Sequence, residues 1–485
     1  MDGLELPDID GLLVTADNPA RADLPGLDHE RCASLHNYLV YYAWVAEGRP
    51  AAALDGNTAT FFTTHGDAAE ALRPRLDPSL ADFLDTAMLP PADAHDPAPF
   101  FFWAAGIAEP DGLFDNETFD LFDEPEDALV CLYPAIDGQG GGSGGGLWYH
   151  QPSHRAAVFM SQVEYEFVLP VNEGQHAALW HPLETVLSNW ITLIRLGKVK
   201  VTPQDTPSQF GSEKIGGRWE WRPYGDAQVA DCIAAWDRLC DAIEARTSGS
   251  TGAAIDQQQS EPLLPPAVLD AASILDGFAR AFLTGARRPR FRHVAPGLAL
   301  PSADAAEFTS TQPFAQQRGS QDIPPVCLLP AAQNGLEADM TGSLNPFHGK
   351  FGPGNSALSR VPAGVYSESV SRDAYGNAEE GFRLLLPFGL HGYVGDEEEG
   401  GAGARKSDGS FVEAGSVAEL FQHGYKPFGG DQNRPQRLER LLDHWLRLVD
   451  EGVWRVGPQG VEGSIETFRE ADTTHWRHYH IPPSW

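Results

Sequence analysis

The amino-acid sequence predicts an α+β protein made of two homologous halves that pack in a pseudo-two-fold arrangement. Three observations lead to this fold class. A helix–glycine–strand pattern starts at Leu183 and again at Leu438, short apolar runs that end in proline recur in the same order, and a polar segment rich in Ser, Thr, Gly and Gln lies near the middle of the 485 residues. Such polar segments are typical of flexible linkers. The repeats on its two sides therefore indicate an internal duplication.

These observations divide the chain into four parts. We expect an N-terminal extension at 1–24, a first α+β half at 25–246, a flexible linker at 247–262 and a second α+β half at 263–485.

The strongest repeat aligns Leu183–Tyr224 with Leu438–Tyr479 without gaps. The two copies begin LETVLSNWITLIRLGKVKVTPQ and LERLLDHWLRLVDEGVWRVGPQ, and 12 of the 42 aligned positions are identical. A random pair of segments of ordinary composition would share roughly three. The shared positions include Trp190 and Trp445, Gly197 and Gly452, and a Pro-Gln pair. The alignment therefore supports two related halves.

The spacing within this repeat predicts its local structure. Apolar residues recur at intervals of three and four from Leu183 and from Leu438, which is the pattern of an amphipathic helix. Gly197 and Gly452 follow as helix C-caps. Alternating apolar residues then predict a half-buried strand through Val199 and Val201 in the first copy, and through Trp454 and Val456 in the second.

Further elements are predicted along the chain. Leu35–Val45 and Asp226–Arg246 have helical spacing, the latter with Asp226 as its N-cap. Short apolar runs closed by proline predict strands, and they occur at 130–135, 167–170, 326–331 and 384–387. The run Gly106–Pro110 also resembles Gly297–Pro301. These matches follow one another in the same order in both halves.

The charge of the chain restricts its partners. There are 68 acidic and 34 basic residues, which gives a formal net charge of −34. Binding to nucleic acid or to an anionic membrane requires clustered Lys and Arg, so neither is expected. No apolar run approaches the roughly 20 residues that span a bilayer. The acidic N-terminus lacks the features of a secretory signal, so we expect a cytoplasmic protein. The five cysteines are widely spaced and contain no CxxC pair, so we expect free thiols.

The duplication separates shared polar residues from those found in one half only. Glu184 and Glu439 are shared, as are Arg222 and Arg477. A structural ion pair or cap repeated in each half is the preferred interpretation, and a pair of equivalent ligand sites is the alternative.

Histidines are the main polar residues found in one half only. If the segment from Trp476 were a strand, His478 and His480 would share one face, a spacing that can chelate a transition metal. His444, His391 or His423 would supply a third ligand. No Cys/His/Asp set has a recognised metal spacing, so these residues are weak metal candidates, and no cofactor is assigned.

In the first half, His150 and His154 follow a glycine tract at 138–146, and they are weak catalytic candidates like His391. The tract contains a GxSxG sequence around Ser143. That motif requires a strand-to-helix elbow, and no helix begins here, so a flexible loop is the preferred interpretation.

An acidic segment, FDNETFDLFDEPED at 114–127, contains carboxylates interleaved with aromatic residues and has no basic residue. Its candidate binding residues are Phe119, Asp120, Phe122, Asp123, Glu124 and Glu126. A solvated loop with its aromatic side chains tucked into the core is one interpretation. A docking surface for a basic protein is the functional one, because carboxylates attract it and aromatic side chains anchor it.

Two functions follow as hypotheses. The first is an acidic protein with a duplicated scaffold that binds a protein or a small ligand through its acidic surface or through the cleft between its halves. The alternative is an enzyme whose active site lies between the halves and uses His478, His480 and His391, with metal-assisted hydrolysis or oxidation as its reaction.

Overall fold

The structure is a computed structural model that describes most of the chain. The described residues are 4–91, 100–114, 125, 127–136, 145–159, 179–208, 214, 218–247, 261–315, 322–341, 346–347, 358–372, 378–393, 402–424, 428–429 and 435–485. Helices and several small antiparallel sheets make this a mixed α+β protein.

The chain forms two compact units. The first comprises Met1–Arg222, Tyr425–Asn433 and Pro483–Trp485, and the second comprises Pro223–Gly424 and Arg434–Pro482. The helix at Asp226–Thr247 therefore belongs to the second unit.

The first unit begins with helices and continues with two small antiparallel sheets. Its helices are α1 (His29–Ala46), α2 (Phe61–His65), α3 (Asp67–Glu70), α4 (Pro78–Thr86) and α5 (Leu183–Arg195). Its strands are β1 (Leu129–Pro134), β2 (Gly146–His150), β3 (Arg155–Phe159), β4 (Val199–Val201) and β5 (Trp219–Trp221). The first sheet has the order β1-β2-β3, and β4 pairs with β5.

The core of the first unit is built around α1, which packs against α4 and α5. Asp28 caps α1 by accepting a hydrogen bond from the Arg31 N–H at 3.3 Å. Trp190 of α5 stacks on Phe101 with 4.7 Å between ring centroids and meets Trp103 edge to face. Aromatic pairs of this geometry add to the free energy gained by burying apolar surface.

The second unit contains more strands and the longest helix. Its helices are α6 (Asp226–Thr247), α7 (Pro266–Ala271), α8 (Phe278–Gly285), α9 (Ala305–Ser310) and α10 (Leu438–Asp450). Its strands are β6 (His293–Ala295), β7 (Leu298–Ala299), β8 (Asp322–Ile323), β9 (Cys327–Pro330), β10 (Glu337–Asp339), β11 (Arg360–Pro362), β12 (Gly364–Ser367), β13 (Val370–Ser371), β14 (Phe382–Leu385), β15 (Val456–Gly457) and β16 (Gly460–Val461).

The core of the second unit lies between its helices and its sheets. Helix α6 packs against α8 and α10. One sheet has the order β14-β12-β9, and a four-stranded sheet has the order β15-β16-β6-β7. Trp236 of α6, Trp445 of α10 and Tyr366 of β12 are fully buried.

The structure confirms most of the predicted elements. Both repeated helices are present, at Leu183–Arg195 and Leu438–Asp450, and each is followed by a glycine with positive φ, 68° at Gly197 and 71° at Gly452. The predicted strand through Val199 and Val201 is β4. The predicted helices at 35–45 and 226–246 correspond to α1 and α6. The runs at 130–135 and 326–331 contain β1 and β9, and β14 overlaps the run at 384–387.

Two local predictions are wrong. Asp226 is the first residue of α6 instead of its N-cap, and the Gln228 side chain accepts a hydrogen bond from the Gly225 N–H at 2.8 Å. In the second copy the strand begins only at Val456, because the Trp454 N–H donates to Leu448 O at 3.0 Å and so closes the turn after α10. The predicted strand at 167–170 lies outside the described residues.

Candidate functional site

The histidine-rich C-terminal segment is not a strand. Trp476–Tyr479 forms a 3₁₀-helix, so the strand on which His478 and His480 would share one face does not form there. Turn hydrogen bonds hold the segment, including those from the Trp476 N–H to Thr473 O at 3.1 Å and from the His478 N–H to His475 O at 2.9 Å. Tyr479 is buried and anchors the segment to the core.

The two histidine rings have different neighbours. The His478 ring lies beside that of His475, with 6.1 Å between centroids. The His480 ring packs edge to face on Trp476 at 5.9 Å, and its Nε2 is 3.2 Å from Ser407 O. Within the described part of the chain, no group of three or more His, Cys, Asp or Glu side chains is arranged to hold a metal ion.

His444 uses both ring nitrogens within the fold. Its Nδ1 accepts from Arg447 Nη2 at 3.3 Å, so Nε2 carries the proton and donates to His478 O at 2.7 Å. Burial, reinforced by the positive charge of Arg447, lowers the pKa of His444 to about 3. His444 is therefore a neutral residue that holds the backbone of the C-terminal segment in place.

Two further histidines of the second unit differ in exposure. His391 is exposed, and its backbone N–H donates to Asp472 Oδ2 at 2.9 Å. His423 is buried, and its carbonyl oxygen accepts from the Asp408 N–H at 3.0 Å. The neighbourhood of His423 is a polar network inside the second unit.

This buried polar network is centred on the turn Lys406–Ser410. The Asp408 carboxylate is fully buried and accepts from the Ser410 N–H at 3.0 Å and from the Ser410 hydroxyl at 2.6 Å. Gln436 Nε2 donates to the Ser407 hydroxyl at 3.3 Å. The charge of Asp408 acts on His480 and raises its pKa, but burial of the ring is the larger effect and lowers it. His480 and the buried carboxylate of Asp408 therefore lie close together within the second unit.

An arginine–tryptophan cluster lies beside this network and consists of Arg405, Trp476 and Arg477. Both guanidinium carbons are 4.5 Å from the centroid of a Trp476 ring. Arg405 also stacks on Phe411 at 4.4 Å. Sequence reasoning missed this cluster, because Arg405 is 71 positions from Trp476 and stands in a glycine-rich segment without a motif.

The glutamates shared by the two copies are both close to a cysteine of a long helix. Glu184 is buried and accepts from the Cys32 thiol at 3.6 Å, and burial raises the pKa of its carboxyl. Glu439 pairs with Arg437 at 3.0 Å. Burial raises the pKa of the Cys232 thiol, and the charge of Glu439 raises it further.

In the first unit, His150 and His154 shape a turn. His150 Nδ1 is 2.7 Å from the Ser153 hydroxyl, and the Tyr149 hydroxyl is 3.2 Å from His154 Nδ1. His154 adopts a positive φ of 53° at the end of the 3₁₀-helix Gln151–Ser153. These contacts link neighbouring residues of one turn. Ser143 of the GxSxG sequence lies outside the described residues.

The two ends of the acidic segment meet at one side chain. The Arg75 guanidinium stacks on Phe114 at 4.0 Å, and its Nε donates to Asp127 Oδ1 at 2.7 Å. The Arg75 carbonyl oxygen and that of Asp127 also both accept hydrogen bonds from the Gln151 side chain. The candidate binding residues Phe119, Asp120, Phe122, Asp123, Glu124 and Glu126 lie outside the described residues.

No protein-family model matches this chain, and neither does any curated protein or solved structure. Across the part of the chain that the structure covers, no helix is both long and apolar enough to cross a membrane.

Proposed function

We propose that this chain is a duplicated α+β scaffold that binds a basic protein through its acidic segment at 114–127. The proposal has two parts, the duplication and the binding. Each has its own support and its own test.

The first support for the duplication is a shared strand irregularity. In β1 the register with β2 shifts at Leu132, and in β9 the register with β12 shifts at Leu328. Those two leucines are matched in the sequence alignment of the runs VCLYPA and VCLLPA. A β-bulge is a specific feature of a strand, so its recurrence at matched positions favours common descent.

The second support is a glycine at the start of each middle strand. Gly146 pairs with Pro134 and has a φ of 156°, while Gly364 pairs with Pro330 and has a φ of 152°. A Cβ atom at Gly146 would lie 2.6 Å from Tyr133 O, and one at Gly364 would lie 2.5 Å from Leu329 O. The same close approach therefore requires glycine in both sheets.

The third support comes from the helices and extends the duplication to α1 and α6. His36 of α1 meets Phe83 edge to face at 5.8 Å, and Trp236 of α6 meets Phe282 edge to face at 5.9 Å. His36 Nε2 is 2.9 Å from the carbonyl oxygen of Met88, five residues after Phe83. Trp236 Nε1 donates to a carbonyl oxygen five residues after Phe282 at 2.8 Å.

These correspondences favour a second copy that starts at Pro223. Helix α6 then corresponds to α1, whereas the division based on sequence assigned it to the first half. The contacts of α6 with α8 and α10 match those of α1 with α4 and α5. Cys32 and Cys232 also occupy matched positions, four residues before His36 and Trp236.

Two fragments distinguish this boundary from the one at residue 263. We expect residues 223–485 to unfold cooperatively in urea, because α6 is present to cover α10. We expect residues 263–485 to lack a cooperative transition, because the buried face of α10 is then exposed to water. Equal cooperativity in the two fragments would contradict a second copy that includes α6.

The anchoring of the acidic segment carries the binding proposal. Both of its ends are fixed at Arg75, so the segment starts and returns at one place on the first unit. The net charge of −34 attracts a basic protein over a distance of about 10 Å at 0.1 M salt. The aromatic residues of the segment supply the anchors that such an interface needs.

Charge reversal tests the binding. In the first variant Asp120, Asp123, Glu124 and Glu126 are replaced by Lys. In the matched control Asp396, Glu397, Glu398 and Glu399 are replaced by Lys, so both variants change the net charge equally. The probe is a synthetic peptide rich in Lys and Arg with interspersed Leu. Its affinity is measured by calorimetry at low and high salt.

We expect the first variant to bind the peptide about tenfold or more weakly at low salt, and the control to lose much less. The difference between them should shrink as salt is added, because salt screens exposed charges. Equal losses in the two variants would show that only net charge matters and would contradict a binding site at 114–127.

A further inference from the structure

A short segment from late in the chain contributes to the core of the first unit. Residues Tyr425–Asn433 belong to this unit, whereas the residues directly before and after them belong to the second. Within the segment the structure describes Phe428 and Gly429, and both are buried. Phe428 follows Trp190, its hydrogen-bond partner, by 238 positions. The first unit thus holds a dipeptide from a distant part of the chain.

Three side chains of the first unit surround this dipeptide, and we call them the aromatic pocket: Trp103, His181 and Trp190. The His181 ring lies beside that of Phe428, with 5.0 Å between centroids. Trp190 Nε1 donates to Phe428 O at 3.0 Å. The Trp103 ring lies against Gly429. The aromatic pocket therefore contacts an aromatic side chain, its carbonyl oxygen and the residue that follows.

The residue after the aromatic side chain has to be glycine. Gly429 has a φ of 85°, which side chains rarely permit. A Cβ atom at this position would lie 2.5 Å from Trp103 Cζ2, which is closer than non-bonded atoms approach. The backbone conformation and the Trp103 ring both exclude a larger residue. The aromatic pocket therefore selects an aromatic residue followed by glycine.

The walls of the aromatic pocket are held in place by other parts of the first unit. Trp190 stacks on Phe101 at 4.7 Å and meets Trp103 edge to face at 5.0 Å. The backbone of His181 is fixed to Ala156 of β3 by two hydrogen bonds, of 2.7 and 2.9 Å. None of these contacts involves the bound dipeptide. Walls that are fixed in this way reduce the entropy lost when a peptide binds.

The repeated helix α10 shows that the dipeptide is not a necessary part of the helix. Trp445 of α10 is matched to Trp190 of α5 and is equally buried. Its Nε1 has no hydrogen-bond partner among the described residues. The repeated helix therefore forms without an acceptor for this N–H group. In the first unit the acceptor is supplied by Phe428, which occupies the aromatic pocket as a peptide ligand would.

We propose that the aromatic pocket is a binding site for a partner protein that presents an aromatic residue followed by glycine in an extended segment. Phe428 and Gly429 are then an intramolecular ligand that inhibits this site. A tethered segment acts at an effective concentration on the order of millimolar, so a free partner has to compete with it. The site becomes accessible when the segment at 425–433 is withdrawn.

The test displaces the intramolecular ligand in the full chain and supplies it again as a peptide. Gly429→Val forces the dipeptide out, because its Cβ atom meets the Trp103 ring. The matched control is Gly415→Val, since Gly415 has the same φ of 85° but no atom within 4 Å of its Cβ position. The probe is a synthetic peptide with the sequence of residues 425–433, and calorimetry measures its affinity.

We expect the Gly429→Val chain to bind the peptide in a one-to-one ratio and about tenfold or more tightly than the unaltered chain does, because the tethered competitor is removed. The Gly415→Val chain should bind as the unaltered chain does. Peptides that carry Phe428→Ala or Gly429→Val should bind the Gly429→Val chain about tenfold or more weakly. These peptides have the same charge as the probe, so the loss reports the fit to the pocket.

A second variant removes the dipeptide without a steric clash, since residues 425–433 are replaced by nine residues of Gly and Ser. It should bind the peptide as the Gly429→Val chain does, and circular dichroism checks that each variant is folded. Absence of peptide binding by this variant would overturn the proposal. Equal affinities of the three peptides would overturn it as well, because the pocket would then not select an aromatic residue followed by glycine.

Discussion

Trp190 and Trp445 stand at matched positions of α5 and α10, but their indole N–H groups have different surroundings. Both side chains are fully buried. Trp190 Nε1 donates to Phe428 O at 3.0 Å. Trp445 Nε1 is buried and has no hydrogen-bond partner among the described residues. Substitution of each by Phe removes the same atoms, so the difference between the two losses includes the contribution of the Trp190 hydrogen bond.

We expect Trp190→Phe to lower the free energy of unfolding more than Trp445→Phe does. The first substitution leaves the Phe428 carbonyl oxygen without its donor, which costs about 1–3 kcal/mol. It also weakens the parallel stack on Phe101, where the ring centroids are 4.7 Å apart. The second substitution removes a buried N–H that is already unsatisfied, and this relief offsets part of the lost packing. The two changes should differ by about 2 kcal/mol or more.

Urea unfolding measures the difference. Because the two tryptophans lie in different units, each unit needs its own reporter, such as hydrogen exchange at the amides of α5 and α10. A shift in midpoint with an unchanged slope reports a change in stability alone. An equal or larger loss in Trp445→Phe would refute the assignment of the stabilising hydrogen bond to Trp190.

Three further predictions concern buried polar groups. All five cysteines are buried thiols outside any disulfide, so a thiol reagent should label the native chain far more slowly than the unfolded chain. Glu379→Ala should cost about 3–5 kcal/mol, because the buried Glu379 pairs with Arg372 at 2.6 Å and accepts from the Phe278 N–H. Burial lowers the pKa of His36 to about 4 and that of His444 to about 3. Below about pH 6.5 the unfolded chain therefore binds more protons than the folded chain does. The free energy of unfolding should fall as the pH drops from there towards 4.

Each of these has a measurement that decides it. Mass spectrometry follows the labelling, and rapid labelling of a native thiol would contradict the burial. Glu466→Ala is the control for the ion pair, because Glu466 and Arg469 are exposed and should contribute at most about 1 kcal/mol in urea unfolding. His444→Gln should reduce the pH dependence of the urea midpoint, and an unchanged profile would count against a neutral, buried His444.

Helical periodicity and glycine caps were predictable because they depend on residues close in sequence. The spacing from Leu183 and Leu438 gave both helices, and Gly197 and Gly452 gave their ends. Local patterns were insufficient at Trp476, where a shared face for His478 and His480 depended on the segment being a strand. The turn bonds to Thr473 and the burial of Tyr479 gave a 3₁₀-helix instead.

The polar groups of the candidate site depend on contacts between distant residues. Nothing near Arg405 in sequence indicates that Trp476 stacks on it, and nothing near Asp408 indicates that His480 lies beside it. The sequence singled out His480 because only one half contains it. The residues that surround His480 could be identified only from the fold. The proposed match of His36 to Trp236 was also hidden, since the two side chains differ in type and share only their contacts, an edge-to-face phenylalanine and a carbonyl acceptor five residues after it.

The bulges at Leu132 and Leu328 restrict where the chain can gain or lose residues. The side chains of a strand alternate between its two faces. Deletion of Leu132 would therefore move the buried residues on one side of the bulge to the opposite face of the sheet, relative to those on the other side. The connection after each proline is free of this restriction, because the two connections differ in length. One runs from Pro134 to Gly146 and the other from Pro330 to Gly364. The longer connection contains the hairpin β10–β11. Insertions and deletions among relatives should therefore accumulate after each proline and be absent from the few residues before it.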